Sequence, residues 1–328
     1  VSIDAEFLTG DAFGSRYDSF RNLIRFQEQI EDLNTGLIAW PGGTLAEVRD
    51  DRYGLEYEGL YSDWTGKPNI EDMMSFAIDA EASLSIVIPT VRYLGRAAAL
   101  ETELGGFLQD LFGGVYGSLP EKLILEIGSE YYAHFDDLER SGASQYGEIA
   151  NTVVTQIVAA LENPDVNLVA ADVIIAVQVG KTIEDDADIR AELLPATLSE
   201  IDMVIHHRFS PQPQGFDNRI DDLETILENW REDSLAAGGD QPDLFVSAWN
   251  VASYTRADAL AEYLAANPEL DETDVDLRGR TTTEFEEFWQ TRLGQHSFGA
   301  KHPGAILEAF SSYAEAGMSA GAIFGTDY

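Results

Sequence analysis

The sequence contains no cysteine, only four methionines, and 20 lysine and arginine residues against 59 aspartates and glutamates. The missing thiols exclude a disulfide framework, a thiolate metal site and a cysteine nucleophile, and they leave the compartment open. The shortage of cations gives a formal net charge of −39, a field that argues against nucleic acid or an anionic membrane as partner. It favours neutral or cationic ligands, or ligands met by a local basic patch. No apolar run is long enough to span a bilayer, so membrane insertion is not expected. Neither a Gly-x-Ser-x-Gly elbow, a phosphate-cradling glycine loop nor a dinucleotide fingerprint occurs, which removes three common catalytic designs. Internal repeats, low-complexity tracts and breaks in composition are also missing. The start, Val1-Ser-Ile-Asp4, has neither an initiator methionine nor a secretory signal pattern and reads as that of a processed or trimmed domain.

What is present is a chain of 328 residues with 45% hydrophobic content, enough for one large domain over 1–328 with a sizeable core. Its acidity reads as the solvated surface of a secreted, cell-surface or salt-adapted protein. Structural calcium is the alternative, through Glu184-Asp-Asp-Ala-Asp188 or Asp271-Glu-Thr-Asp-Val-Asp276, although neither run has the ligand spacing and glycine of an EF-hand. His134, His296 and His302 are too scattered for a metal triad.

Short β-branched runs alternate with amphipathic segments along the whole chain, the pattern of a parallel sheet wound with helices. The strand candidates are Val1 to Asp4, Leu37 to Pro41, Leu84 to Pro89, Leu123 to Ile127, Val169 to Val177, Met203 to His207, Phe245 to Trp249 and Ala320 to Phe324. Helical spacing covers Arg16 to Glu31, a segment starting at Asn69, Leu100 to Phe112, Tyr146 to Leu161 and Ile189 to Leu198. It continues over Ile220 to Trp230, Ala257 to Leu264, Phe285 to Leu293 and Pro303 to Ala316. Eight strands with intervening helices predict a (β/α)8 TIM barrel, a fold of roughly 250 residues before insertions. The surplus falls in connections at 42–68, 208–219 and 265–283.

In such barrels chemistry sits at the carboxyl ends of the strands. Alternation along Leu123–Glu130 puts Glu126, Gly128 and Glu130 on one side, with Glu130 at the end. Glu126, deeper in, needs partners to offset its desolvation and reads as structural, whereas Glu130 reads as catalytic. Trp249 and Asn250 end the seventh strand, and a rim tryptophan is either a sugar platform or a packing residue. His207 and Arg208 close the sixth strand, with His206 pointing oppositely; Trp40, Arg92, Tyr131 and Tyr132 are further subsite candidates.

The segment Glu126-Ile-Gly-Ser-Glu130-Tyr131 resembles the Glu-Ile-Gly-Asn-Glu motif at the end of strand four in clan A glycoside hydrolases, family 39 and its relatives in particular. Phe245-Val-Ser-Ala-Trp-Asn250 resembles the Thr/Ser-Glu-Trp-Asn motif at the end of strand seven, and Trp40-Pro-Gly-Gly43 resembles the Arg/Phe-Pro-Gly-Gly turn after strand two. Ala316 to Gly325 is similar to the last helix and strand of those domains.

The resemblance implies a retaining glycosidase acting on a polysaccharide or oligosaccharide, with Glu130 as acid/base. The chain is expected to need no cofactor and to be a monomer. Two positions depart from the pattern. Ser129 stands where the family has the asparagine that bonds the sugar 2-hydroxyl, and Ala248 stands where the family has its nucleophile.

Without a carboxylate at position 248 no glycosyl-enzyme can form, so the chain should bind sugar and hardly turn it over. An engineered glutamate-to-alanine change explains a motif that lacks only its carboxylate; natural loss is the other explanation. Asp172, Asp202 and Glu47 are stand-ins by position alone for an inverting mechanism. The rival functions are a non-catalytic carbohydrate-binding pseudo-enzyme and a polysaccharide lyase, in which Arg92 or Arg208 would neutralise an acidic sugar.

Overall fold

A computed structural model describes residues 2–4, 36–40, 46–47, 70–133, 142–210, 214–251, 256–271, 275, 282–296 and 302–323. The helix expected over Arg16 to Glu31 and nearly all of the 42–68 connection lie outside the described residues. Eight parallel strands follow one another in chain order around a closed barrel. They are β1 (Ser2–Asp4), β2 (Leu37–Trp40), β3 (Ser83–Ile88), β4 (Leu123–Ile127), β5 (Val173–Gln178), β6 (Met203–Ser210), β7 (Asp243–Val251) and β8 (Met318–Ile323). The described helices are α1 (Ile70–Asp79), α2 (Ala97–Phe112), α3 (Gly142–Glu162), α4 (Ile183–Ala191), α5 (Pro195–Leu198), α6 (Gln214–Ala237), α7 (Arg256–Ala266), α8 (Thr283–His296) and α9 (His302–Glu315).

The chain divides into two compact units, the first comprising Val1–His207, Asp222–Trp249 and Gly317–Tyr328, and the second Arg208–Asp221 and Asn250–Ala316. In the first, Leu37, Ile124, Ala176, Ile205 and Phe245 pack together inside the barrel, with Ile174, Met203 and Ala320 against them. Burial of each large apolar side chain in this layer contributes about 1.5–3 kcal/mol to barrel stability. In the second, Ala259, Val275 and Phe285 form a small core. Tyr263 meets Phe285 and Phe288 edge-on there, at 5.4 and 5.2 Å between ring centroids.

The helix expected over Ile189–Leu198 is two, Ile183–Ala191 and Pro195–Leu198, because Pro195 opens a new helix, and the connection expected at 208–219 is narrowed by β6 running to Ser210 and α6 starting at Gln214. Two further stretches differ for identifiable reasons. β5 begins at Val173 rather than Val169, because the Asn167 side chain bonds the backbone of Leu161 and Ala171 and holds the preceding stretch as a turn. The acidic run Glu184 to Asp188 is the start of a helix and not a loop: the hydroxyl of Thr182 caps α4 by accepting from the Asp185 N–H. Acidic residues in that first turn also complement the helix dipole. Within the run, buried Asp186 accepts from Trp230 Nε1 at 2.8 Å, Arg190 Nε at 2.9 Å and the Gly180 N–H at 3.1 Å. Most of Asp271 to Asp276 lies outside the described residues.

Candidate active site at the carboxyl end of β4

The carboxylate of Glu47 organises the rim of the first unit. It is 1% exposed and accepts from Thr90 N, Thr90 Oγ1, Val91 N and Ser129 N at 2.8–2.9 Å. One side chain therefore fastens the connection after β3 to the connection after β4. Burial pushes its carboxyl up, and those four hydrogen bonds pull it partly back. Glu47 is thus fully engaged, and its position does not make it a substitute for a missing catalytic acid.

Above β4 the backbone turns sharply. Gly128 has φ +69°, and a Cβ there would meet Thr90 Oγ1 at 2.7 Å and Tyr146 Cε2 at 2.9 Å. Glycine is required by both the conformation and the space. Two residues on, Glu130 itself has φ +46°, a left-handed conformation that costs a non-glycine residue on the order of 1 kcal/mol or more. Tyr131 closes the turn by stacking on Tyr146 at 5.0 Å, and the Tyr146 hydroxyl donates to the Ile127 carbonyl at 2.6 Å. Burial, the largest influence on both phenols, raises Tyr131 and Tyr146 above the ordinary tyrosine range, so both hydroxyls remain neutral.

Inside the mouth a polar chain crosses the barrel. Glu126, 2% exposed, accepts from Ser85 Oγ at 3.1 Å and from Ser247 Oγ at 2.8 Å. Ser247 has one proton and spends it on Glu126, so its 2.6 Å contact with His207 Nε2 makes the imidazole the donor. The other ring nitrogen, Nδ1, faces Glu130 Oε1 at 3.6 Å, while Nε2 lies 3.5 Å from Glu126 Oε1. Burial works against a charge on His207, but the carboxylates of Glu126 and Glu130 outweigh it and push the imidazole up to about 9. The Glu130 side chain is 30% exposed and also accepts from the Tyr132 hydroxyl at 3.3 Å. The mouth thus holds a half-open carboxylate with a buried cation behind it and a phenol beside it.

No family model matches the chain, and no curated protein matches it. Among solved structures, 49 chains match. The chain is similar to a family 51 α-L-arabinofuranosidase from Bifidobacterium longum, with 13% identity over 80% of this chain and a TM-score of 0.45. It spans only 54% of that enzyme's length. It is similar to an endo-1,4-β-D-mannanase from Thermotoga petrophila, with 9% identity over 99% of this chain and 87% of the other and a TM-score of 0.46. It is also similar to the oxygenating constituent of 3,6-diketocamphane monooxygenase from Pseudomonas putida, with 14% identity over 98% and 91% and a TM-score of 0.44. Likenesses of this strength, shared by hydrolases and an oxygenase, assign no chemistry.

Of the residues singled out in the sequence, Glu130, His207, Ser129 and Tyr131 come together in the barrel unit, and Arg92 sits on the neighbouring connection that Glu47 holds. Ser129 is 2% exposed and contributes its N–H to Glu47. Ala248 lies beside an irregularity in β7, where the register with β8 shifts between Val246 and Trp249, and is 8% exposed. Trp40 and Trp249 are 0% and 1% exposed, so both pack in the core instead of presenting an open face to a sugar. Arg208 belongs to the second unit, where it is near the buried Tyr313. Asn250 ends up in the second unit too, and its side chain lies outside those described. Asp172 and Asp202 precede β5 and β6, at the amino ends of the strands and away from the mouth.

Sequence reasoning missed Ser85 and Ser247 as partners of Glu126. Both are serines within otherwise apolar strands, Ser83–Ile88 and Asp243–Val251, which is the signal that was available.

Proposed function

We propose that this chain is a carbohydrate-binding barrel of glycoside-hydrolase type, with Glu130 as its acid/base carboxylate and no nucleophile at Ala248. The observation that carries the reading is Glu130 itself: a non-glycine residue held at φ +46° at the carboxyl end of β4, with its carboxylate 30% exposed. Strain of this kind persists where the surroundings over-determine it, and Glu47, Gly128 and the Tyr131–Tyr146 stack do so here. In a complete retaining site the acid/base protonates the departing glycosidic oxygen and then takes a proton from water, while a second carboxylate about 5–5.5 Å away forms the glycosyl-enzyme. The methyl group of Ala248 cannot form that bond, so binding without appreciable turnover is the expected behaviour. A secreted or cell-surface location and a polysaccharide or oligosaccharide ligand belong to the same reading.

The absence of a carboxylate at 248 equally favours a second reading, a natural sugar-binding pseudo-enzyme. Assaying Ala248→Glu beside the unaltered chain on a panel of polysaccharides, with reducing ends as readout, separates the two. Hydrolysis that appears only with glutamate supports the disabled hydrolase. Silence in both despite sugar binding supports the binding protein, and no sugar binding by either sinks the carbohydrate reading.

A further inference from the structure

Arg92 carries an unexplained cost. It lies in the single turn Val91–Tyr93 that follows β3, and its Nε and Nη1 are buried with no hydrogen-bond partner among the described residues. Its guanidinium rests over the Tyr93 ring at 5.6 Å, a contact that stabilises the charge without satisfying those N–H groups. Leaving the buried donors of a charged group unmade costs more than leaving those of a neutral one. A lack of carboxylates is not the cause in a chain with 59 acidic residues against 20 basic ones. Unsatisfied buried polar groups in a folded protein call for a specific explanation, and a ligand is one.

The position of Arg92 supports a ligand. Thr90 and Val91 donate to the Glu47 carboxylate that also takes the N–H of Ser129, so Arg92 and Glu130 each stand one residue beyond a fastened point on adjoining connections. A second cation borders Glu130 from the β5 side. Lys181 is exposed, and its ammonium lies 5.2 Å from the centre of the Tyr132 ring, whose hydroxyl donates to Glu130. The rim thus has cations on both neighbouring connections, within a protein whose overall charge is strongly negative.

We propose that the ligand of this rim is a carboxylate-bearing saccharide, a uronate-containing oligomer, with Arg92 as counterion of its carboxylate and Lys181 as an outer cation. The planar guanidinium matches a carboxylate in both charge and shape. The net charge of −39 limits the class further. Screening over about 8 Å at physiological ionic strength lets the local cations dominate for a short, sparsely charged oligomer, whereas a dense polyanion meets the repulsion of the whole surface. This assignment rests on the carbohydrate reading and narrows it.

Calorimetric titration of the unaltered chain with short uronate-containing oligosaccharides, their methyl esters and neutral homologues tests it. The free acids should bind at least about tenfold tighter than the esters, which keep the shape and lose the charge. Arg92→Gln should abolish that preference, and Arg92→Lys should restore part of it. Lys181→Gln, at an exposed position, should weaken the free acid a few-fold and leave the ester unchanged; it keeps the test sound if melting shows Arg92→Gln to be misfolded. Equal binding of acid and ester, or a preference that survives in folded Arg92→Gln, overturns the proposal and leaves the carbohydrate reading standing. Failure of every saccharide, charged and neutral, overturns both.

Discussion

Two layers of the barrel interior stand one above the other and obey different rules. The lower layer, Leu37, Ile124, Ala176, Ile205 and Phe245, is apolar and buried. The upper layer, two residues further along three of the same strands, is Glu126, His207 and Ser247 joined by hydrogen bonds and ion-pair contacts, with Ser85 below Glu126. The same alternation that buries Ile124, Ile205 and Phe245 therefore delivers Glu126, His207 and Ser247 to the interior. A stable core needs the first layer only. The second is costly unless every member is satisfied, and its charges lead toward Glu130 at the mouth.

The comparison is broken most strongly from below. Phe245→Ala should lower unfolding free energy by about 3–5 kcal/mol in urea melts, because it opens a cavity in the apolar layer. Glu47→Ala should cost about 3 kcal/mol by stranding the N–H groups of Thr90, Val91 and Ser129, with the loss of protection concentrated at those amides in hydrogen exchange.

For the upper layer the test is pH. His207 is raised from 6.5 to about 9 by folding, so its contribution is complete below pH 6.5 and is lost as pH rises through about 9. The shift corresponds to on the order of 3 kcal/mol. Urea melts at either end of that window should show the loss, His207→Gln should remove the dependence, and the imidazole should titrate near 9 by NMR.

Gly128→Ala should cost about 2 kcal/mol through the positive φ and the Thr90 and Tyr146 contacts. Tyr132→Phe, which removes a 3.3 Å hydrogen bond from a half-exposed carboxylate, should cost less than about 1 kcal/mol.

The barrel was legible in the sequence because short apolar runs such as Ser83–Ile88 and Leu123–Ile127 alternate with helices such as Ile70–Asp79 and Gly142–Glu162 that carry an apolar face, signals that are local. Glu130 and His207 were legible because the end of a parallel strand is also readable locally. What escaped required pairing across the barrel. Glu47 looks like any rim glutamate until Thr90, Val91 and Ser129 converge on it. For Trp249 the sequence leaves sugar platform and packing residue both open, and for Trp40 it offers only a subsite candidate, because aromatic type and rim position do not reveal exposure; both are buried. For Arg92 the sequence suggests the role of neutralising an acidic sugar, and the structure adds two buried guanidinium nitrogens with no hydrogen-bond partner among the described residues.

The central claim is a sugar site furnished on the β4 side and lacking its nucleophile at Ala248, and small-anion rescue of the unaltered chain tests it most directly. Azide, supplied with a panel of activated aryl glycosides, would occupy the room left by the missing carboxylate. Azide-dependent release of the phenol, with a glycosyl azide as product, is the predicted result. Intact sugar binding with no azide-dependent release on any glycoside that Ala248→Glu hydrolyses would contradict it.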